Sequence, residues 1–233
     1  MVLLENRGSI MWKEYWEPIQ LSITITIAAS ILVIISGTLL GYFFARRTFK
    51  LKLILETVSM LPLVLPPSVI GFLLIIIFGN QSFIGVFIKN LFGHSIIFTW
   101  YAAVIAAAVV AFPLMFQSAK AGFLNVHRGL EEVAMDLGAT PIQVFFRISL
   151  PLAKKSLLAG CVLSGARALG EFGATLMFAG NIPGVTQTVP TAIYMAIDTG
   201  NMRLAWAWVI TIVILSFLLL YFVRLKEVGK EHK

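Results

Sequence analysis

Residues 131–151 read EEVAMDLGATPIQVFFRISLP and form the centre of the longest polar stretch of the chain, residues 120–155. The first half of the quoted segment is rich in acidic and helix-forming residues. Gly138 follows at a position where a left-handed residue commonly ends a helix, and Pro141 prevents that helix from continuing. The residues after Pro141 place apolar side chains at helical spacing. The segment therefore predicts two short helices joined at a turn, with an exposed acidic face and an apolar underside.

A loop of this kind has two interpretations. It can insert into a groove of a partner protein, as amphipathic helices do, or it can be a solvated connector between its neighbours. The residue pattern leaves both interpretations open.

The sequence on both sides of this loop is strongly apolar. The chain has 233 residues, of which 59% are hydrophobic and only 12% charged, whereas soluble domains carry about 25% charged residues. The mean hydropathy of +0.92 points the same way. Five apolar runs are long enough for a helix to cross a hydrocarbon core of about 30 Å. These runs are residues 19–45, 57–79, 96–117, 156–180 and 204–223.

We therefore predict an all-α integral membrane protein with five transmembrane helices. The first run is too long for the apolar part of a signal peptide, so we expect it to be retained. Two shorter apolar runs, residues 83–92 and 190–197, predict interfacial or re-entrant helices.

Basic residues are distributed unequally between the two sides of these spans. Four follow the first run, five lie between the third and fourth, and four follow the fifth, whereas the opposite side holds four. Because cytoplasmic loops are rich in Lys and Arg, we expect a multi-pass protein of the cytoplasmic (inner) membrane with its N-terminus outside. The predicted parts are an external tail (1–18), a membrane domain (19–224) and a cytoplasmic tail (225–233). The net charge of +7 then needs no nucleic acid.

Prolines interrupt the second run at Pro62, Pro66 and Pro67. Each removes a backbone donor and strains the preceding turn, so this helix should be bent or broken. Either the bend borders a transport pathway, which makes Pro62 and Pro66 candidate pore residues, or it is a packing kink. In the first run, Gly37 and Gly41 predict a close approach of another helix.

Arg167 and Glu171 are the only strong charges well inside a predicted span. They are four residues apart and lie on one helix face. Charges in such places are usually paired or part of a substrate path. We therefore consider both a neutralising pair that orients the helix and a gated pore lined by Ser164, Arg167 and Glu171.

Several catalytic signatures are missing from the sequence. Cys161 is the single cysteine, and the three histidines lie outside the spans, so no cluster suggests redox or metal chemistry. The sequence contains no GxxxxGK[ST] phosphate-binding loop. We expect that the chain is not an enzyme and that any ATP hydrolysis belongs to another subunit.

The polar loop resembles a known motif. Glu132, Ala134 and Gly138, followed after nine residues by the sequence ISLP at 148–151, resemble the EAA loop of ABC importer permeases, with Val133 where the pattern has alanine. The resemblance implies a type I ABC importer permease fold in which this loop forms a coupling helix that docks on an ATP-binding subunit. The coupling residues so implied are Glu131, Glu132, Ala134, Asp136, Leu137, Gly138, Ile148 and Pro151.

Further segments resemble the molybdate permease branch of that family. They are LPLVLPP at 61–67, ARALGEFGAT at 166–175, GNIPG at 180–184 and TVPTAIY at 188–194. Sulfate permeases share a version of the second segment but typically carry an additional N-terminal span, which favours molybdate here.

This resemblance implies a homodimer in the lipid membrane, with two ATP-binding subunits that use ATP-Mg and an external molybdate-binding protein, while the chain itself binds no cofactor. Alternating access would follow from movement of the loop. Alternative functions are a tungstate or sulfate ABC permease, a secondary transporter or channel, and an intramembrane enzyme.

Overall fold

A computed structural model describes the backbone of residues 2–228 and the side chains of residues 12, 14–218, 220 and 221. All regular elements in this part of the chain are helical. In chain order they are α1 (Val2–Arg46), α2 (Lys52–Val64), α3 (Pro67–Phe78), α4 (Phe83–Phe92), α5 (Trp100–Leu124), α6 (Arg128–Asp136), α7 (Pro141–Val144), a π-helical turn (Phe145–Ser149), α8 (Leu150–Leu152), α9 (Lys154–Leu169), α10 (Gly173–Phe178), α11 (Val189–Asp198) and α12 (Met202–Val228).

Two unbroken helices are long and apolar enough to cross a membrane within the described residues, namely Glu14–Arg46 of α1 and α5. The helix α1 begins at Val2, so the described residues of the predicted external tail 1–18 are helical and continuous with the first predicted span. Most of the predicted tail 225–233 lies outside the described residues. The fifth predicted span falls within α12, whose described apolar segment is Met202–Leu218.

The second predicted span is broken, as its prolines indicate. The axes of α2 and α3 are bent by 120° at residues 65 and 66. Leu65 and Pro66 both precede a proline, which disfavours the α conformation, and both adopt extended backbone angles. The pair is therefore a broken span or a re-entrant loop. Pro62 lies inside α2.

The fourth predicted span is not one continuous helix. It divides into α9 and α10, with residues 170–172 between them. The break coincides with Gly170 and Glu171. The Oε1 atom of Glu171 accepts a hydrogen bond from the Ala174 backbone amide at 2.8 Å, so this amide near the start of α10 has a side-chain partner. The two predicted short helices form as α4 and α11.

The helix α5 forms the centre of the bundle. Its membrane-length segment is 61% buried, whereas that of α1 is 22% buried. An alanine-rich surface of α5 contacts α1, α9 and α10. Large apolar side chains of α1 point outwards at four-residue spacing, among them Ile27, Ile31, Ile35 and Leu39. An outward apolar face of this kind fits a hydrocarbon surrounding.

Polar contacts join the helices at both ends of the bundle, and α1 takes part at each end. At one end, which we call the basic end, Arg46 lies near residues of α6, and Lys120 pairs with Glu56 at 2.7 Å. At the opposite end, the hydroxyls of Tyr15 and Thr211 lie 2.5 Å apart, and the Trp208 indole donates to the Tyr15 carbonyl. The long helix therefore spans the whole thickness of the fold.

Gly37 and Gly41 permit the close packing of α1 on α5. A Cβ atom on Gly41 would lie 2.6 Å from the Cβ of Ala119 and 2.9 Å from the Lys120 backbone nitrogen. The predicted close approach of a second helix at this pair is confirmed.

We expect Gly41→Ala to destabilise the protein by about 1–3 kcal/mol, because the backbone of α5 must move to admit the methyl group. Gly165→Ala is the matched control, since its Cβ would meet only Ser30 Oγ at 3.6 Å. Thermal unfolding in detergent measures both variants. Equal melting temperatures for the two would contradict this account of the packing.

Candidate functional site

The polar loop folds into two consecutive short helices. His127 precedes α6, and its ring nitrogen Nδ1 accepts the Gly129 amide at 3.2 Å. At the other end of α6, Gly138 has φ +92°, and the Ala139 amide donates to the Ala134 carbonyl at 3.0 Å. This pattern is a Schellman motif, which needs a left-handed residue at the position of Gly138. The predicted helix end at Gly138 is confirmed.

The second helix begins with a capping box. The Thr140 amide donates to Gln143 Oε1 at 2.8 Å, and Thr140 Oγ1 accepts the Gln143 amide. Pro141 occupies the first helical turn, where its missing donor costs nothing.

A π-helical turn, Phe145–Ser149, follows α7. Its position is explained by Pro151, whose ring would clash with the carbonyl of Arg147 in a regular α-helix. The wider turn relieves that clash while the chain remains helical. Sequence reasoning predicted a helix here but not its widening.

The outward face of α6, α7 and the neighbouring Leu137 and Phe146 is both acidic and apolar. Its exposed side chains are Leu130, Glu132, Val133, Asp136, Leu137, Ile142 and Phe146. Leu137 is 84% exposed. The prediction of an apolar underside is therefore wrong for α6, since much of its apolar surface faces away from the bundle. We call this set of seven residues the outer face.

Glu131 is the acidic residue that turns inwards. Its carboxylate Oε1 lies 2.8 Å from the Arg46 guanidinium and accepts the Ser149 hydroxyl at 2.5 Å. The Glu131 side chain is 8% exposed and that of Arg46 is 11% exposed. The coupling role predicted for Glu131 stays a prediction, and in this structure its carboxylate is bound by Arg46 and Ser149 of the same chain. No local sequence pattern indicated that Arg46 and Glu131, which are 85 positions apart, form this pair.

The remaining predicted coupling residues lie around this core. Ala134 and Ile148 are half-buried, whereas Glu132, Asp136, Leu137, Gly138 and Pro151 are exposed. The structure thus brings most of the predicted set to one end of the molecule, the basic end.

The predicted pore residues are divided between two places. Arg167 Nη1 donates to Glu171 Oε2 at 2.6 Å, which makes the pair a neutralising one. The Glu171 side chain is 1% exposed and that of Arg167 is 31% exposed. The second Glu171 oxygen caps α10, as described above. The pair therefore stabilises the break between α9 and α10.

Ser164 is fully buried and its hydroxyl donates to the Gly160 carbonyl of its own helix at 2.7 Å. The pore role of Ser164 stays a prediction. The cavity beside Glu171 has a volume of about 10 Å³ and room for about one water molecule. Ser22, Thr26 and Thr188 are among the residues that line it.

Pro62 lines a different cleft, between α1, α2 and α5, with a volume of about 330 Å³. Its other walls are almost entirely apolar, and Ser36 and Ser59 both donate their hydroxyls to carbonyls of their own helices. Pro66 is exposed at the bend between α2 and α3. Among the described residues, no group of three His, Cys, Asp or Glu side chains could hold a metal ion.

Comparison with known protein families gives one match that covers most of the chain. Residues 37–227 match the family described as binding-protein-dependent transport system inner membrane component.

Curated relatives cover nearly the full length. The chain is 59% identical over 227 residues to "Putative molybdenum transport system permease protein YvgM" of Bacillus subtilis strain 168, covering 97% of this chain and 99% of that protein. It is 39% identical over 218 residues to the molybdenum transport system permease protein ModB of Escherichia coli K12, covering 93% and 95%.

Solved structures share the fold at low sequence identity. A chain of the methionine ABC transporter MetNI in an inward-facing form matches with a TM-score of 0.70 and 18% identity, covering 93% of this chain and 95% of that chain. A bacterial ABC transporter that imports alginate matches with a TM-score of 0.72 and 14% identity, covering 91% and 78%. The expected ABC importer permease fold is confirmed.

We expect Gly138→Ala to weaken the end of α6 by about 1–2 kcal/mol, because a Cβ is strained in the left-handed conformation. Nothing lies within 4 Å of the added atom, so the backbone alone is responsible. Amide hydrogen exchange at Ala139 should become roughly 5–30-fold faster. Gly138→Asn is the control, since Asn tolerates this conformation. Equal exchange in the two variants would refute the argument.

Proposed function

The chain belongs to the family of binding-protein-dependent transport system inner membrane components, and from this membership we propose that it is the permease subunit of an ATP-driven importer of molybdate. Two relatives at 59% and 39% identity, both described as molybdenum transport permeases, support the substrate. The observation that carries the proposal is the agreement between these full-length matches and the exposed helix pair α6–α7.

The outer face supports docking on a separate ATP-binding subunit. An amphipathic helix binds by placing apolar anchors in a groove, and Leu137, Val133 and Leu130 offer such anchors at spacings of three and four residues. The flanking Glu132 and Asp136 add charge that can select the partner. In this proposal the partner binds ATP-Mg and supplies the hydrolysis.

The assembly that we propose contains two copies of this chain, two ATP-binding subunits and an external molybdate-binding protein. Closure of the ATP-binding subunits moves α6 and opens the pathway outwards, and hydrolysis returns it to an inward-facing state. The breaks at α2–α3 and α9–α10 support such a movement, because they divide helices that would otherwise be rigid.

The basic end is proposed to face the cytoplasm, with the N-terminus outside and the C-terminal tail inside. The concentration of Lys and Arg near α6 supports this orientation. Trp12, Trp16 and Trp206 are exposed near the opposite end, where aromatic side chains favour a membrane interface.

Arg167 is proposed to meet the anion on its path. Its guanidinium keeps partial exposure while Glu171 holds it in place. Tungstate and sulfate have related oxyanion chemistry and remain the alternative substrates, whereas a secondary transporter would need no docking helix.

Replacing Leu137 by Asp should weaken binding of the ATP-binding subunit at least about tenfold, because a charge would enter an apolar groove. Ile182→Asp is the matched control, since Ile182 is 41% exposed in the segment after α10. Co-purification of the ATP-binding subunit with each variant measures the effect. Full retention by Leu137→Asp would contradict docking through the outer face.

Proteoliposomes that contain the chain, its ATP-binding subunit and its binding protein should take up molybdate only with ATP, and excess sulfate should not compete. Arg167→Ala should lower uptake by about tenfold to a hundredfold, the loss of one charged hydrogen bond. Uptake without ATP would contradict the importer, and strong competition by sulfate would change the substrate.

The double variant Arg167→Gln with Glu171→Gln separates two roles of Arg167. It removes both charges, so it leaves no unpaired carboxylate in the bundle. Uptake should stay low if Arg167 meets the anion. Recovery to the wild-type rate would show that the pair only stabilises the fold.

A further inference from the structure

Three segments of the chain meet at the basic end through one buried polar cluster. Arg46 is in the last turn of α1, Glu131 is in α6, and Ser149 ends the π-helical turn. Glu131 Oε1 receives hydrogen bonds from both partners, at 2.8 Å from Arg46 and 2.5 Å from Ser149. We call these three residues the Arg46 cluster.

Additional contacts fix the orientation of this cluster. Arg46 also donates to the Val126 carbonyl at 3.2 Å, and Arg128 donates to the Ala45 carbonyl at 3.4 Å. One turn earlier in α1, the Tyr42 ring lies 4.8 Å from the ring of Phe145 and 5.1 Å from that of Phe123. The last two turns of α1 are therefore held to α6 and the π-helical turn by directional bonds and by aromatic packing.

The helix α1 is suited to carry a displacement across the membrane. It runs unbroken from the Arg46 cluster to the opposite end, where Ser22 Oγ accepts the Val189 amide at 2.8 Å and Tyr15 contacts α12. In contrast, α2–α3 and α9–α10 are interrupted. A displacement of α1 at Arg46 is therefore transmitted to α11 and α12 through one continuous helix.

We propose that the Arg46 cluster is the link through which movement of α6 is passed to α1 and so to the outer end of the pathway. This inference rests on the proposed function, since it requires that a partner moves α6. The roles of the two faces of α6 are distinct: the outer face binds the partner, and Glu131 on the inner face positions α1. Glu131, Arg46 and Ser149 are positioning residues that contact no substrate.

The decisive quantity is the number of molybdate ions taken up for each ATP hydrolysed by the full complex in proteoliposomes. Glu131→Gln preserves the shape of the side chain but removes its charge. We expect the ATP-binding subunit to stay bound and the uptake per ATP to fall by about tenfold, within the range typical of coupling between two sites. Ser149→Ala, which leaves the ion pair intact, should give a smaller fall in the same ratio.

Glu56→Gln is the matched control. Glu56 pairs with Lys120 at 2.7 Å at the same end of the molecule, but this pair joins α2 to α5 and includes no residue of α6. Loss of the Glu56–Lys120 ion pair should leave the uptake per ATP unchanged. The double variant Arg46→Gln with Glu131→Gln should recover part of the ratio, because no uncompensated charge remains and the two amides can still bond.

The two proposals fail in different ways. If the wild-type complex takes up no molybdate with ATP, the proposed function is wrong and the inference falls with it. If the wild type transports but Glu131→Gln and Ser149→Ala keep its ratio, even with a lower melting temperature, the cluster is only structural and the inference is overturned. If the Glu131→Gln complex does not assemble, the uptake per ATP of Ser149→Ala alone tests the inference: a ratio equal to that of the wild type overturns it.

Discussion

A charged or hydrogen-bonding group within an apolar surrounding must find its partner inside the protein, because an unsatisfied group there costs several kcal/mol. This requirement explains why the described irregularities of the bundle coincide with polar side chains or prolines. At the break between α9 and α10, one carboxylate both neutralises Arg167 and accepts the Ala174 amide. At the basic end, the Glu131 carboxylate likewise neutralises Arg46 and accepts a hydrogen bond from the Ser149 hydroxyl. Both glutamates hold two elements in a fixed relation.

Local features of the fold were predictable because they depend on neighbours in sequence. The left-handed glycine at 138, the break near Pro66 and the Arg167–Glu171 pair all follow from spacings of a few residues. The burial of Glu131 was not predictable, because its partner Arg46 is 85 residues away in the chain. The burial of Ser164 was not predictable for a similar reason, since helical periodicity does not reveal which neighbour covers a given face. The break in the fourth span depends on a side chain that caps a backbone amide, which hydropathy cannot detect.

The helix α6 combines two surfaces of different character within nine residues. Its outer face exposes leucine and valine side chains that the chain itself does not cover, and its inner face is closed by a short ion pair. A helix built in this way can exchange partners on one side without losing its position on the other. The unbroken helix α1 then connects this point with α11 and α12, while the interrupted helices leave room for their halves to move separately.

The π-helical turn also bears on how related chains should be aligned. A π turn contains one residue more than the α-helical turn that it replaces, so it is equivalent to a single insertion within a helix. A relative with a regular helix at Phe145–Ser149 would have one residue fewer here and would need a gap at this place. Without that gap, every position from α9 onwards would be compared with a neighbour rotated by about 100° around the helix axis. Comparisons of Arg167 and Glu171 between such chains depend on placing that gap correctly.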